Sequence, residues 1–152
     1  MDYTAMGEQE YIFAGIFTLA NRLQRLGDKL DDHMTIKQWM LIAVVTKAEN
    51  QMLTISEAAA VIGSSHQNIK KMAVILEKQG FLTLSKAPED GRVVRLSLTD
   101  YCKNYFSERD ESEQAFLAAV FQGFDEEATA GLYKGLRLLQ QNIEKLEKKD
   151  DL

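Results

Sequence analysis

The sequence has one cysteine, two histidines and one proline, and no uninterrupted apolar run of the roughly 18 residues that a membrane span needs. Cys102 alone can form no intramolecular disulfide and supply no multi-cysteine metal site, which fits a reducing compartment. His33 and His66 have no ligand-spaced partner, so no metal is expected. The opening segment MDYTAMGEQE lacks the basic-then-apolar pattern of a secretory signal, so a cytoplasmic location with no membrane partner is expected. Also absent are a glycine-rich phosphate loop, a nucleophile elbow, an H-E-x-x-H spacing and a paired-carboxylate scaffold. Neither an enzyme nor a cofactor is expected.

What is present suits one folded domain over residues 1–152, with 45% apolar and 27% charged residues. The net charge of −5 conceals an asymmetry. Residues 54–99 sum to +2, whereas residues 1–53 sum to −2 and residues 100–152 to −5. Clustered basic charge is the footprint of phosphate binding, whatever the total.

From Glu8 to Leu30, the residues Tyr11, Ile12, Ile16, Leu19, Leu23, Leu26 and Leu30 recur at helical spacing. Phe13, Phe17 and Ala20 widen that apolar stripe so far that a second subunit is expected to cover part of it. Thr35 caps a helix through Trp39, Ile42 and Val45 that ends before Glu49-Asn50. In LTISEAAAVIG, Thr54 and Glu57 form a capping box and Gly63 closes a short helix. Ser64-Ser65 then opens a second helix, which carries Ile69, Met72, Ala73 and Leu76 on one face and runs to Gly80. FLTLSK and RVVRLSL read as two strands of a hairpin appended to the helical body, with Pro88 setting its turn and Gly91 supplying a positive φ. Thr99-Asp100 starts a long helix that breaks at Gly123-Phe124-Asp125. In the last helix, Leu132, Leu136, Leu139, Ile143 and Leu146 form a pairing seam before a frayed EKKDDL tail.

A helix-turn-helix followed by a hairpin is a winged helix, so the fold class is mainly α with a small β-hairpin wing. The second helix of the pair has the chemistry to read DNA. Gln67 and Asn68 can bond adenine bidentately, while Ser64, Ser65, Lys70 and Lys71 suit phosphates or, for the lysines, guanine. His66 stands among them, and the helix N-terminus itself favours phosphate.

The segment LTISEAAAVIGSSHQNIKKMAVILEKQGFLTLSKAPEDGRVVRLSLTD resembles the DNA-binding core of the MarR (multiple antibiotic resistance regulator) family, above all in PEDGRVVRLSLT, which is similar to that family's wing. MTIKQWMLI resembles the helix that precedes this core. Leu84, Val74 and Ile75 depart from the family pattern by replacing polar or charged residues, and Lys71 replaces a frequent arginine. The resemblance implies a winged helix-turn-helix core at about 35–99 and dimerisation helices at about 8–31 and 100–149. It implies a homodimer that binds a pseudo-palindromic double-stranded operator, with repression the commoner outcome. Half-sites would then lie about one helical turn apart, ~34 Å.

On the wing, Arg92 is expected to enter the minor groove, with Asp90 aiming the guanidinium and Gly91 letting the chain turn between them. The resemblance also implies a small aromatic or anionic effector, for which Tyr11, Phe13, Phe17, His33, Trp39 and Met40 are the candidates; burial in the core is the stronger expectation for these aromatics. Cys102, in the first turn of a helix, is expected to be a buried thiol before it is a redox switch. The competing class is a winged-helix module that docks protein through its wing, Val74 and Ile75.

Overall fold

Four short polar side chains start helices in the computed structural model, which describes residues 6–48 and 52–149. Each accepts a hydrogen bond from the backbone N–H three residues on, which satisfies one of the donors a helix start leaves open. Thr35 opens α2 (Ile36–Lys47), Thr54 opens α3 (Ile55–Ile62), Ser65 opens α4 (His66–Lys78) and Asp125 opens α6 (Glu126–Lys148). Gly63, Gly80 and Gly123 hold positive φ angles of 70°, 84° and 85°, and these left-handed residues follow α3, α4 and α5 (Asp100–Val120).

The first helix, α1 (Glu8–Gly27), ends three residues before the Leu30 that its apolar spacing predicts. Gly27 is buried against Ile36, where a Cβ would lie 2.8 Å from the isoleucine side chain. Asp28 Oδ1 accepts the Ile36 N–H at 2.7 Å, so the chain turns there into α2. Glu49-Asn50, expected just past α2, and the final Asp150, Asp151 and Leu152 of the tail lie outside the described residues.

The sheet has three strands rather than the two expected. β1 (Leu53–Thr54), β2 (Leu82–Lys86) and β3 (Val94–Leu98) run antiparallel in the order β1-β3-β2. Leu96 on the central strand pairs with Leu53 on one side and Leu84 on the other. Nor is the hairpin an appendage. Leu82 and Leu96 are 2% and 1% exposed, inside the same cluster as Leu41, Ile55, Ile69, Leu76 and Cys102. Each such leucine contributes about 1.5–3 kcal/mol by leaving water, so the base of the wing is part of the core that fixes α4.

The chain divides into two units, Met1–Phe106 and Ser107–Leu152. The first turns of α5 therefore belong with the winged lobe. Cys102 is fully buried, Tyr105 packs edge-on against Phe81 at 5.0 Å, and Tyr105 Oη donates to Asp31 Oδ2 at 2.6 Å. Thr99 Oγ1 accepts the Cys102 N–H at 3.1 Å and donates to the Gly80 carbonyl at 2.5 Å, which locks the start of α5 to the end of α4. In the second unit, α6 has no buried residue, and its seam Leu132, Leu136, Leu139, Ile143 and Leu146 is exposed along its whole length. Among the described residues no helix is long and apolar enough to cross a membrane.

Candidate nucleic-acid interface

Amphipathic spacing divides α4 cleanly. Ile69, Ala73 and Leu76 are buried, and His66, Gln67, Asn68, Lys70 and Lys71 are exposed on its first two turns. The helix begins at His66, so Ser64 and Ser65 precede it. Ser65 Oγ is occupied in accepting the Asn68 N–H at 3.2 Å, while Ser64 is half-buried and its N–H bonds the Ala59 carbonyl at 3.0 Å. Five exposed polar side chains thus lie on the first two turns of a helix whose N-terminal backbone donors and dipole attract anions. Farther along, Val74 is half-buried and Ile75 is 45% exposed.

The wing tip is built around Asp90. Its Oδ1 accepts the Arg92 backbone N–H at 2.9 Å and Nε at 3.2 Å, while Oδ2 accepts Nη2 at 3.3 Å. The carboxylate therefore closes the turn and grips the guanidinium with two oxygens, the arrangement that fixes direction best. These hydrogen bonds, backbone first, hold the Asp90 carboxyl below its ordinary range. The Arg92 side chain stays 92% exposed, so the pair adds little to stability and leaves the held guanidinium in water at the wing tip. Gly91 does not take the positive φ expected of it; among the described residues, only Gly63, Gly80 and Gly123 do. The loop from Ala87 to Val93, closed by Ala87 N–H to Val93 O at 2.8 Å, is long enough to turn without a mirror-image bend.

Two acids that charge counting treats as liabilities organise this lobe, and their motif-free positions hid them in the sequence. Glu77 Oε2, on α4, accepts the Leu84 N–H at 2.7 Å, on the side of the edge strand β2 that faces away from β3. It satisfies an edge donor and ties the wing to α4. Glu89 accepts a hydrogen bond from Arg95 Nη2. The end of α4 is further tied to the α1–α2 connection, since Gln79 Nε2 donates to the His33 carbonyl at 3.3 Å.

The capping box of α3 also titrates. Glu57 Oε2 accepts both the Thr54 N–H and its hydroxyl at 2.8 Å, and these bonds, with a smaller contribution from Arg95, lower its carboxyl from the ordinary value. A carboxylate with a lowered folded pKa adds stability above its unfolded pKa and loses it as pH falls through the folded value. Thr54→Ala is therefore expected to cost about 0.5–2 kcal/mol at neutral pH. Urea denaturation should show that cost shrinking in acid, below the range where Glu57 protonates.

The effector candidates do not form part of the core. Tyr11, Phe13 and Phe17 on α1 are 55%, 69% and 61% exposed, Trp39 and Met40 on α2 are 36% and 40% exposed, and His33 is exposed between the two helices. Helical spacing identified an apolar face correctly, but this chain does not bury it. Phe13 and Phe17 pack edge-on against each other, at 5.3 Å. Cys102 is the opposite case. Although it lies in the first turn of α5, burial outweighs the helix dipole and pushes its thiol up to about 11. A thiol reagent at neutral pH should leave native protein unlabelled and label it fully after denaturation.

No protein-family model matches this chain. The HTH-type transcriptional regulator YfiV of Bacillus subtilis is 30% identical over 96 residues, an alignment spanning 63% of this chain and 60% of that protein's length. The HTH-type transcriptional repressor IacR of Pseudomonas putida is 23% identical over 124 residues, 82% of this chain and 72% of that one. Among solved structures, Sco3205, a MarR family transcriptional regulator from Streptomyces coelicolor in complex with DNA, superimposes with a TM-score of 0.79 at 19% identity, covering 89% of this chain and 87% of that one. The helix order, the three-stranded sheet and this superposition together identify the chain's architecture as the winged-helix fold of the MarR family transcriptional regulators.

Proposed function

We propose that this protein is a cytoplasmic transcriptional regulator that binds double-stranded DNA sequence-specifically as a homodimer. One observation carries the proposal: a single lobe presents both an α4 N-terminus ringed by Gln67, Asn68, Lys70 and Lys71 and a wing guanidinium aimed by Asp90. Gln67 and Asn68 read base edges in the major groove, the two lysines and the start of α4 bind phosphate, and Arg92 enters the adjacent minor groove. The operator is pseudo-palindromic, because a two-fold dimer offers the same lobe twice. Support for the dimer comes from two exposed apolar helix faces, one on α1 and one on α6, far too extensive to remain in water. IacR, named a repressor, and Sco3205, solved with DNA, support a DNA-binding repressor. A small aromatic or anionic effector held near Tyr11, Phe13, Phe17, His33, Trp39 and Met40 releases the DNA. The protein acts without a cofactor and without catalysis.

Selection from random-sequence duplexes tests this proposal. The expected product is a two-fold symmetric site with half-sites about one helical turn apart. Recovery of no common sequence by a protein that still binds DNA would remove the specificity. A docking module for protein would instead bind without the steep salt dependence that phosphate contacts impose.

A further inference from the structure

The two wing arginines are held in contrasting ways. Arg92 stands almost wholly in water beside its partner in the turn, whereas the Arg95 side chain is only 29% exposed. Arg95 lies on the central strand, opposite Thr54 on β1 and Ser85 on β2. Its neighbour Leu96 faces the core, so Arg95 rises from the outer face of the sheet. Glu89, in the wing loop, folds back to accept from Arg95 Nη2, and its own side chain is 62% exposed. Glu57, at the first turn of α3, also attracts the same guanidinium.

We propose that Glu89 is a positioning residue that keeps Arg95 folded onto the outer face of the sheet and away from DNA phosphates, so that the wing offers one guanidinium instead of two. This inference rests on the DNA-binding function proposed above. An unpaired arginine on the wing would add a phosphate contact that is indifferent to sequence, strengthening non-specific binding and narrowing the margin by which an operator is preferred. The consecutive acids Glu89 and Asp90 thus act in opposite directions. Asp90 aims its arginine outward from the turn, and Glu89 draws its arginine back onto the strand.

The test is a salt titration of binding to a fluorescein-labelled mixed-sequence duplex by the full chain and by E89Q, R95Q and the double variant. E89Q is expected to bind more tightly at low salt. If it gains one phosphate contact per subunit, the slope of log K against log salt steepens by about 0.9 per contact, so its advantage shrinks roughly 3.5-fold per contact between about 50 and 200 mM salt. R95Q is expected to stay close to wild type, and the double variant to lose the whole gain. A gain that persists in the double variant would show general charge removal and overturn the inference, as would E89Q binding no better than wild type. Absence of wild-type binding at low salt would overturn the DNA-binding proposal itself. Wild-type binding with E89Q unmoved would overturn this inference alone.

Discussion

Arg92→Ala is expected to weaken DNA binding on the order of tenfold per subunit or more, whereas Arg95→Ala should change it little. The difference follows from how each side chain is held, since both carry the same charge and sit three positions apart. Arg92 projects 92% exposed from the wing, and Arg95 is already engaged with Glu89. Asp90→Ala gives the sharper test of the wing. Removing an acid from a DNA-binding surface should tighten binding by simple charge counting. Asp90, however, both closes the turn through the Arg92 N–H and holds the guanidinium with two oxygens. Its loss frees Arg92 to sample many directions, and the ordering cost then falls on the binding step. Asp90→Ala is therefore expected to weaken binding, in the same direction as Arg92→Ala. Fluorescence anisotropy with one operator duplex measures all three variants, and tighter binding by Asp90→Ala would refute the brace.

Leu96→Ala is expected to destabilise the winged lobe by about 2–5 kcal/mol, the range for a buried leucine truncated in a close-packed core. Leu96 is 1% exposed on the central strand, joined to β1 through Leu53 and to β2 through Leu84. The cavity it leaves would lie beneath the sheet that carries the wing, so stability and DNA binding should fall together. Leu136→Ala on α6 is the useful contrast. Leu136 is 49% exposed, so within one chain its truncation removes little packing. On the homodimer proposed above, its effect is instead expected in the concentration dependence of unfolding, because a subunit interface is lost by dilution. Urea denaturation at two protein concentrations separates the two outcomes.

The contrast between Leu96 and Leu136 also marks what was legible in the sequence. Caps are local, so Thr35, Thr54 and Ser65 announced their helices, and Gly63 and Gly80 the ends of two of them, within a few residues of sequence. The Asp90 to Arg92 grip was legible from its place one strand after the α4 segment, in a stretch that resembles a family's wing, since PEDGR by itself reads as a turn. What escaped depends on distant partners. Leu53–Thr54 is a strand only because β3 lies beside it, and Thr54 already had a sufficient local role as a cap. Glu77 and Glu89 found their partners at Leu84 and Arg95 through the fold, with no motif to signal either. The early end of α1 is set by Gly27 meeting Ile36 across a turn. The positive φ expected of Gly91 is unnecessary because the wing loop turns through more residues than a tight hairpin has. Periodicity revealed that α1 and α6 carry apolar faces, but the α1 aromatics stand exposed because period alone does not say what covers a face.

Salt titration of the intact protein against the DNA immediately upstream of its own gene tests the central claim most directly. The polar start of α4 and the wing arginine predict a specific complex at low salt whose affinity falls steeply and log-linearly as salt rises, since each phosphate contact releases counterions. A complex that is indifferent to salt, or no complex at low salt, would contradict it.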